Sequence, residues 1–257
     1  MESKSEVFSM NTVLECRKLC KTYYSNEIEF HALRNVDLQI NKGEFVAIMG
    51  KSGSGKSTLL YTLSGMDDAT GGEVYIKDRK VSNLREKDIT NIRRENIGFI
   101  FQGINLVSNL TLRENVVVPG YLTSKSKDTI NQRADVLLDK IDIMDQIDKL
   151  PSQVSGGQKQ RAAIARAMIN NPDILFADEP TGALNSSSSK AVLELIKSFN
   201  EEGQTIVMVT HDIKSASYAN RVVFLKDGRI EGELDLQRYK SDNQEKVIFD
   251  FLNEKGW

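Results

Sequence analysis

Cysteine and histidine are almost absent from this chain: of 257 residues, two are Cys and two are His. Cys16 and Cys20 stand four apart, and His31 and His211 lie far from each other. A structural zinc asks for about four ligands, so two reduced thiols are expected instead. No apolar run approaches the roughly 20 residues that span a bilayer, and the opening MESKSEVFSM carries no signal-peptide core. The chain is therefore expected to be soluble by itself, without a membrane span, and to reach a membrane only through a partner. An excess of one charge is missing as well. Lys and Arg number 34 against 36 Asp and Glu, a formal charge of −2, without the basic footprint that nucleic-acid binding usually needs. Internal repeats, low-complexity tracts and a linker between two equal halves are lacking too. What is present is 40% hydrophobic and 27% charged, the balance of an ordinary globular protein long enough for a large core.

Residues 1–10 read as a frayed leader, with Met10 as a second candidate start. From Glu44, EFVAIM is a short apolar run ending at Gly50, as a buried strand does. STLLYTLSG reads as a helix closed by Gly65, and GGEVYIKDRKV as a strand region introduced by glycines. Over 128–142, Ile130, Ala134, Leu137, Leu138 and Ile141 form one helical stripe. A further helix is expected from Arg161 to Asn170, stopped by Pro172. ILFA at 174–177 and TIVMVT at 205–210 are unbroken apolar runs, the pattern of parallel strands covered on both faces. RVVFLKDGRI predicts a hairpin turning at Asp227-Gly228. Near the end, Val247, Ile248, Phe251 and Leu252 predict an amphipathic helix, packed on its own domain or docking a partner. Alternating strands and helices around a helical middle give an α/β protein with a helical insertion of about 60 residues.

Two glycine-bearing stretches carry the chemistry. Gly50-Lys51-Ser52-Gly53-Ser54-Gly55-Lys56-Ser57, followed by Thr58, fits G-x-x-x-x-G-K-[ST] between a predicted strand and a predicted helix. Backbone N–H groups of such a loop turn towards phosphate oxygens. Lys56 is expected to reach the β- and γ-phosphates, and the Ser57 hydroxyl to ligate Mg²⁺. This pattern alone does not separate kinases, GTPases and ATPases. ILFADEP then ends a strand with Asp178 and Glu179 side by side. Asp178 is expected to bind Mg²⁺ through water, and Glu179 to act as general base on the attacking water. His211 ends the neighbouring apolar run, where it can meet a γ-phosphate; a structural histidine is the plainer alternative. VSGGQKQ at 154–160 is a second glycine stretch ahead of a helix, and a single phosphate loop does not explain it.

The ordered set GKSGSGKS, IGFIFQ, VSGGQKQR, ILFADEPTGALN and MVTHD resembles the nucleotide-binding subunit of ABC transporters, over about Leu14 to Leu234. That resemblance implies a P-loop NTPase (RecA-like) parallel-sheet core, with an antiparallel β subdomain and an inserted α-helical subdomain. The domain would occupy 11–238, its helical part about 103–168, with 239–257 as a C-terminal helical extension. It implies ATP and Mg²⁺ as cofactors. Tyr23, or Tyr24 in its place, would stack on adenine, and Gln102 would touch Mg²⁺ and water while facing the membrane partner. Ser155, Gly156, Gly157 and Gln158 match the signature loop, Glu179 the catalytic glutamate and His211 the switch histidine. Two copies would sandwich each nucleotide between the phosphate loop of one and the signature of the other, which gives the second glycine stretch its purpose. Asn185 departs from the family's Asp and puts turnover in doubt rather than binding. DEPTGALN and RRENIGFIFQGINLVSNLTLRENV are similar to the lipoprotein-release, macrolide-export and bacitracin/lantibiotic-resistance branch. That branch implies a permease partner with a large extracytoplasmic domain, ATP-driven export or peptide-antibiotic resistance, and a place at the inner face of the plasma membrane. A non-transport ABC ATPase that passes its ATP state to a cell-division or assembly partner is the other reading.

Overall fold

Long antiparallel strands β1 (Thr12–Ser25) and β2 (Ile28–Asn41) open the fold, followed by β3 (Phe45–Met49), α1 (Lys56–Leu63), β4 (Gly71–Ile76) and β5 (Arg79–Lys80). Then come α2 (Glu86–Asn96), β6 (Ile97–Ile100), α3 (Leu112–Tyr121), α4 (Lys127–Lys140) and α5 (Gly156–Met168). The chain continues through β7 (Ile174–Asp178), α6 (Ser186–Glu201), β8 (Thr205–Val209), α7 (Ile213–Ala216), β9 (Arg221–Lys226), β10 (Arg229–Asp235) and α8 (Gln244–Glu254). This computed structural model describes residues 11–25, 28–123 and 125–257. The leader expected at 1–10, and with it the second start at Met10, lies outside the described residues.

The strands form two sheets. One has six strands in the order β10-β9-β3-β8-β7-β6, parallel except for β10, and the other is antiparallel in the order β2-β1-β4-β5. In the large sheet the apolar runs are unbroken because both faces are covered. Phe45, Ala47 and Met49 of β3 enter a core shared with α3, α4, α5, α6 and α8, whereas Val46 and Ile48 enter the core beneath α1 and the antiparallel sheet. Leu175 and Ala177 of β7 alternate with Ile174 and Phe176 in the same way. Site residues at the ends of these strands are thus carried by a scaffold fixed from both sides.

The expected hairpin forms, with Asp227 and Gly228 both at positive φ, as a two-residue turn between twisted strands requires. The stripe on α4 is buried throughout, from Ile130 at 0% to Leu137 at 4% exposure. Arg133 of α4 donates from Nε to the Ile169 carbonyl at 2.7 Å and from a terminal nitrogen to that of Met168 at 2.9 Å. It so caps the end of α5 and locks the two helices together.

One boundary differs from expectation. α5 begins at Gly156, not Arg161, because Ser155 caps it: its hydroxyl accepts from Gln158 N and the Gln158 side chain accepts from Ser155 N. This capping box offsets the poor helix propensity of the two glycines. The helix ends at Met168, sooner than expected, with Asn171 turned to positive φ before Pro172. α8 folds back on its own domain, burying Ile248 and Leu252 completely.

Candidate functional site

Residues 50–55 join β3 to α1, and two of the glycines are there for lack of space. A Cβ on Gly50 would lie 2.3 Å from the Leu225 carbonyl oxygen, and one on Gly55 would lie 2.5 Å from that of Ala32. Gly55, the N-cap of α1, also has φ 101°, and no side chain caps the helix. The first N–H groups of α1 therefore point into the loop without a side-chain acceptor. Lys51, Ser52 and Gly53 form the exposed rim. The Ser54 hydroxyl is buried without a hydrogen-bond partner among the described residues. Lys56 arches over the loop, donating to the carbonyls of Gly50 at 2.7 Å and Lys51 at 2.9 Å, which leaves one of its three N–H donors. Burial pulls its ammonium below the usual lysine value, against the raising pull of the nearby carboxylates of Glu179 and Asp178. Thr58 lies in the first turn behind Ser57.

β7 delivers the acidic pair to this loop. Asp178, 2% exposed, accepts from the Ser57 hydroxyl at 3.0 Å on one oxygen and from the Tyr61 hydroxyl at 2.9 Å on the other. Burial first, and then the hydrogen bond to Asp178, pushes the Tyr61 hydroxyl up to about 12. Glu179 leaves the strand with φ 46°, a left-handed backbone uncommon for a side chain of this size and frequent at working sites. Its N–H donates to the Val209 carbonyl at 2.9 Å, which ties the ends of β7 and β8 together. Its carboxylate meets His211 Nδ1 at 2.7 Å, while the His211 ring is mostly open to solvent.

Two of the sequence-predicted groups, Gln102 and the signature stretch, stand apart. Gln102 follows β6, exposed, with no hydrogen bond among the described residues. Ser155 caps α5 and Gly156, Gly157 and Gln158 begin it; Ser155, Gly157 and Gln158 open on a small surface cleft of about 200 Å³, shared with Arg161, Ser187 and Ser188. No phosphate-loop residue lines that cleft.

Beside the loop, Tyr23 is 41% exposed and is held in place. Its hydroxyl donates to Asp67 at 2.7 Å, and Lys21 bonds the other Asp67 oxygen at 2.5 Å while sitting 4.9 Å from the Tyr23 ring centroid. Burial and the Asp67 carboxylate raise the Tyr23 hydroxyl above its ordinary value. Tyr24, at 71% exposure, has no such anchor among the described contacts.

Sequence reasoning missed Tyr61 and Asp67. Tyr61 follows Ser57 by four residues on a predicted helix, so the spacing that puts both on one face was readable. Asp67 gave no local signal, because its partners Lys21 and Tyr23 lie on β1, 46 and 44 residues away in the chain.

The residues present fit a nucleotide phosphate with a divalent cation. The loop offers uncapped N–H groups, an unpartnered buried hydroxyl and a space that a Cβ would fill. No group of three or more His, Cys, Asp or Glu side chains among the described residues makes a metal cage. Ser57 and Asp178, 3.0 Å apart at the loop, are a hydroxyl and a carboxylate of the kind that Mg²⁺ takes as its one or two protein ligands.

A family model described as ABC transporter matches residues 33–182. The bacitracin export ATP-binding protein of Halalkalibacterium halodurans is 41% identical over 246 residues, covering 95% of this chain and 96% of that protein. The macrolide export ATP-binding/permease protein of Aggregatibacter actinomycetemcomitans is 41% identical over 237 residues, 92% of this chain but 37% of that protein. Among solved structures, the dimeric post-hydrolysis state of an ATP-binding cassette bound to ADP and Pi is 44% identical, with a TM-score of 0.80. It covers 87% of this chain and 98% of that one.

Proposed function

The chain belongs to the ABC transporter family, and on that premise we propose that it is the ATP-binding and ATP-hydrolysing subunit of a membrane exporter. It works as a homodimer against a permease. The observation that carries this reading is the end of β7, which brings Asp178 to Ser57 at 3.0 Å and Glu179 to His211 at 2.7 Å. A phosphate loop alone binds; this pair adds what hydrolysis needs.

The loop N–H groups, Lys56 and Thr58 hold the phosphates, and Tyr23 stacks on adenine. Ser57, Asp178 and Gln102 are the residues that would hold Mg²⁺. When bound, Mg²⁺ offsets the negative charge on the phosphate oxygens. Glu179 accepts a proton from the attacking water, and His211, hydrogen-bonded to it, orients the carboxylate and faces the γ-phosphate. Ser155 and Gly156 are exposed and Gly157 half-buried at the start of α5, with no phosphate-loop residue lining their cleft, so they serve the nucleotide of the second copy. The dimeric cassette with ADP and Pi supports this arrangement. Residues 11–238 form the nucleotide-binding domain and 239–257 its extension.

No described helix is long and apolar enough to cross a membrane, so the permease supplies the span and holds the dimer at the inner face of the plasma membrane. The bacitracin-export and macrolide-export relatives favour a role in antibiotic export or resistance. Glu179→Gln tests the enzymatic core. It keeps the shape and removes the base, so ATP binding should persist while turnover falls by about 10²- to 10⁴-fold. Turnover near wild type would remove Glu179 from the chemistry.

A further inference from the structure

One helical turn beyond Ser57, Tyr61 offers a second hydroxyl to the same carboxylate. Its hydroxyl donates to Asp178 Oδ2 at 2.9 Å and that of Ser57 to Oδ1 at 3.0 Å, so each oxygen of a buried carboxylate has its own donor. Contacts outside α1 hold the Tyr61 ring. It lies 5.7 Å, centroid to centroid, from Phe99 of β6. Phe99 in turn lies 6.2 Å from Phe176 and 4.5 Å from Phe101. Phe176 is two residues before Asp178, and Phe101 is immediately before Gln102. The ring is thus wedged beside the two strands that lead to Asp178 and Gln102.

We propose that Tyr61 is a positioning residue for the cation: its hydroxyl fixes the rotamer of Asp178, so that the oxygen next to Ser57 stays turned towards the metal's water shell. This rests on the reading of Ser57 and Asp178 as the Mg²⁺-holding pair. A carboxylate has two equivalent oxygens and about four acceptor directions, and in a buried site an unanchored one rotates or recruits water. A rigid donor on one oxygen removes that freedom. The phosphate-loop pattern does not specify a hydroxyl at this position, and packing alone would be served equally by phenylalanine.

Tyr61→Phe separates the two roles, because the ring stays on Phe99 and only the donor leaves. Binding of a fluorescent ATP analogue to the full-length protein is followed across a Mg²⁺ titration and again in EDTA. Outer-shell partners of metal ligands typically matter by about 10- to 100-fold. The expected result is a Mg²⁺ half-saturation raised about ten-fold, with metal-free affinity and melting temperature unchanged. An unchanged Mg²⁺ curve overturns the proposal. A loss of metal-free affinity overturns it too, since the hydroxyl would then serve the nucleotide pocket. Asp178→Asn runs alongside: a shifted curve there with an unmoved Tyr61→Phe curve sinks this inference alone. An unmoved Asp178→Asn curve sinks the assignment of Asp178 beneath it.

Discussion

Replacing Asp67 by Asn should weaken ATP binding although Asp67 touches no phosphate-loop residue. In the structure it holds Tyr23 by the hydroxyl at 2.7 Å and Lys21 by the ammonium at 2.5 Å, with Lys21 facing the Tyr23 ring. Asparagine keeps the volume and one acceptor but drops the charge, so Tyr23 gains rotational freedom that nucleotide binding must then remove. Immobilising such a side chain costs about 0.5–1.5 kcal/mol, which converts to roughly 2- to 12-fold weaker binding. Tyr23→Ala removes the ring itself, and base stacking contributes about 1–3 kcal/mol, or roughly 5- to 150-fold. A titration with a fluorescent ATP analogue resolves both steps, and a melt without nucleotide checks folding. Lys21 keeps the Asp68 carbonyl at 2.7 Å, so Asp67→Asn should remain folded. Burial raises the Asp67 carboxyl, but bonds from Lys21 and Tyr23 outweigh that effect and hold it below its ordinary value. A depressed carboxyl contributes above its unfolded value and loses that contribution as pH falls through the folded one. The clamp should therefore persist from neutral pH into the ordinary carboxylate range and fail only below it. Wild-type affinity in a folded Asp67→Asn protein, with Tyr23→Ala weakened, would refute the clamp. Wild-type affinity in Tyr23→Ala would refute the stacking role itself.

Asn185 caps α6, accepting from Ser188 N at 2.9 Å and the Ser187 hydroxyl at 3.0 Å. Asn185→Ala should cost about 1 kcal/mol, a melting shift of roughly 2–4 °C, whereas Asn185→Asp caps equally well and should melt as wild type. A change in turnover on Asn185→Asp without a change in melting would then come from the added charge and not from the cap. Leu252→Ala empties a fully buried position of α8 and should cost about 2–5 kcal/mol in a denaturant titration; a loss under 1 kcal/mol would mean that α8 docks loosely.

The parallel strands were readable because burial on both faces leaves runs such as FVAIM and TIVMV without a polar break. The stripe on α4 was readable because its spacing survives to the helix end. β1 and β2 were not, for a physical reason: Lys18 and Asn35 take positive φ, and the register between the strands shifts repeatedly. Each bulge flips the in-out phase, so Leu14, Cys16, Leu19 and the buried Lys21 never form one alternating series. Buried charge misled further, since Glu15 at 4% and Lys21 at 7% exposure occupy core positions, Glu15 paired with Arg17 and Gln39, and Lys21 with Asp67 and the Asp68 carbonyl. α6 was hidden by its opening serines, which are poor interior residues but suit a helix start. The phosphate loop and the acidic strand end are local motifs and were legible as such. The Asp178–Tyr61 and Tyr23–Asp67 contacts depend on tertiary placement, which no short window contains.

In the proposed dimer each ATP site is built from Lys56 of one copy and Ser155 of the other. That arrangement is tested most directly by mixing two defective proteins in the Glu179→Gln background, one also Lys56→Ala and the other also Ser155→Arg. Alone, neither can complete a site, and neither should trap nucleotide. Mixed, the heterodimer regains one complete site, because the intact loop of the second copy meets the intact signature of the first. ATP-dependent dimers should form in the mixture only, trapping about one nucleotide per two chains by that two-fold geometry. Trapping by the Ser155→Arg protein alone, or none by the mixture, would contradict the composite site.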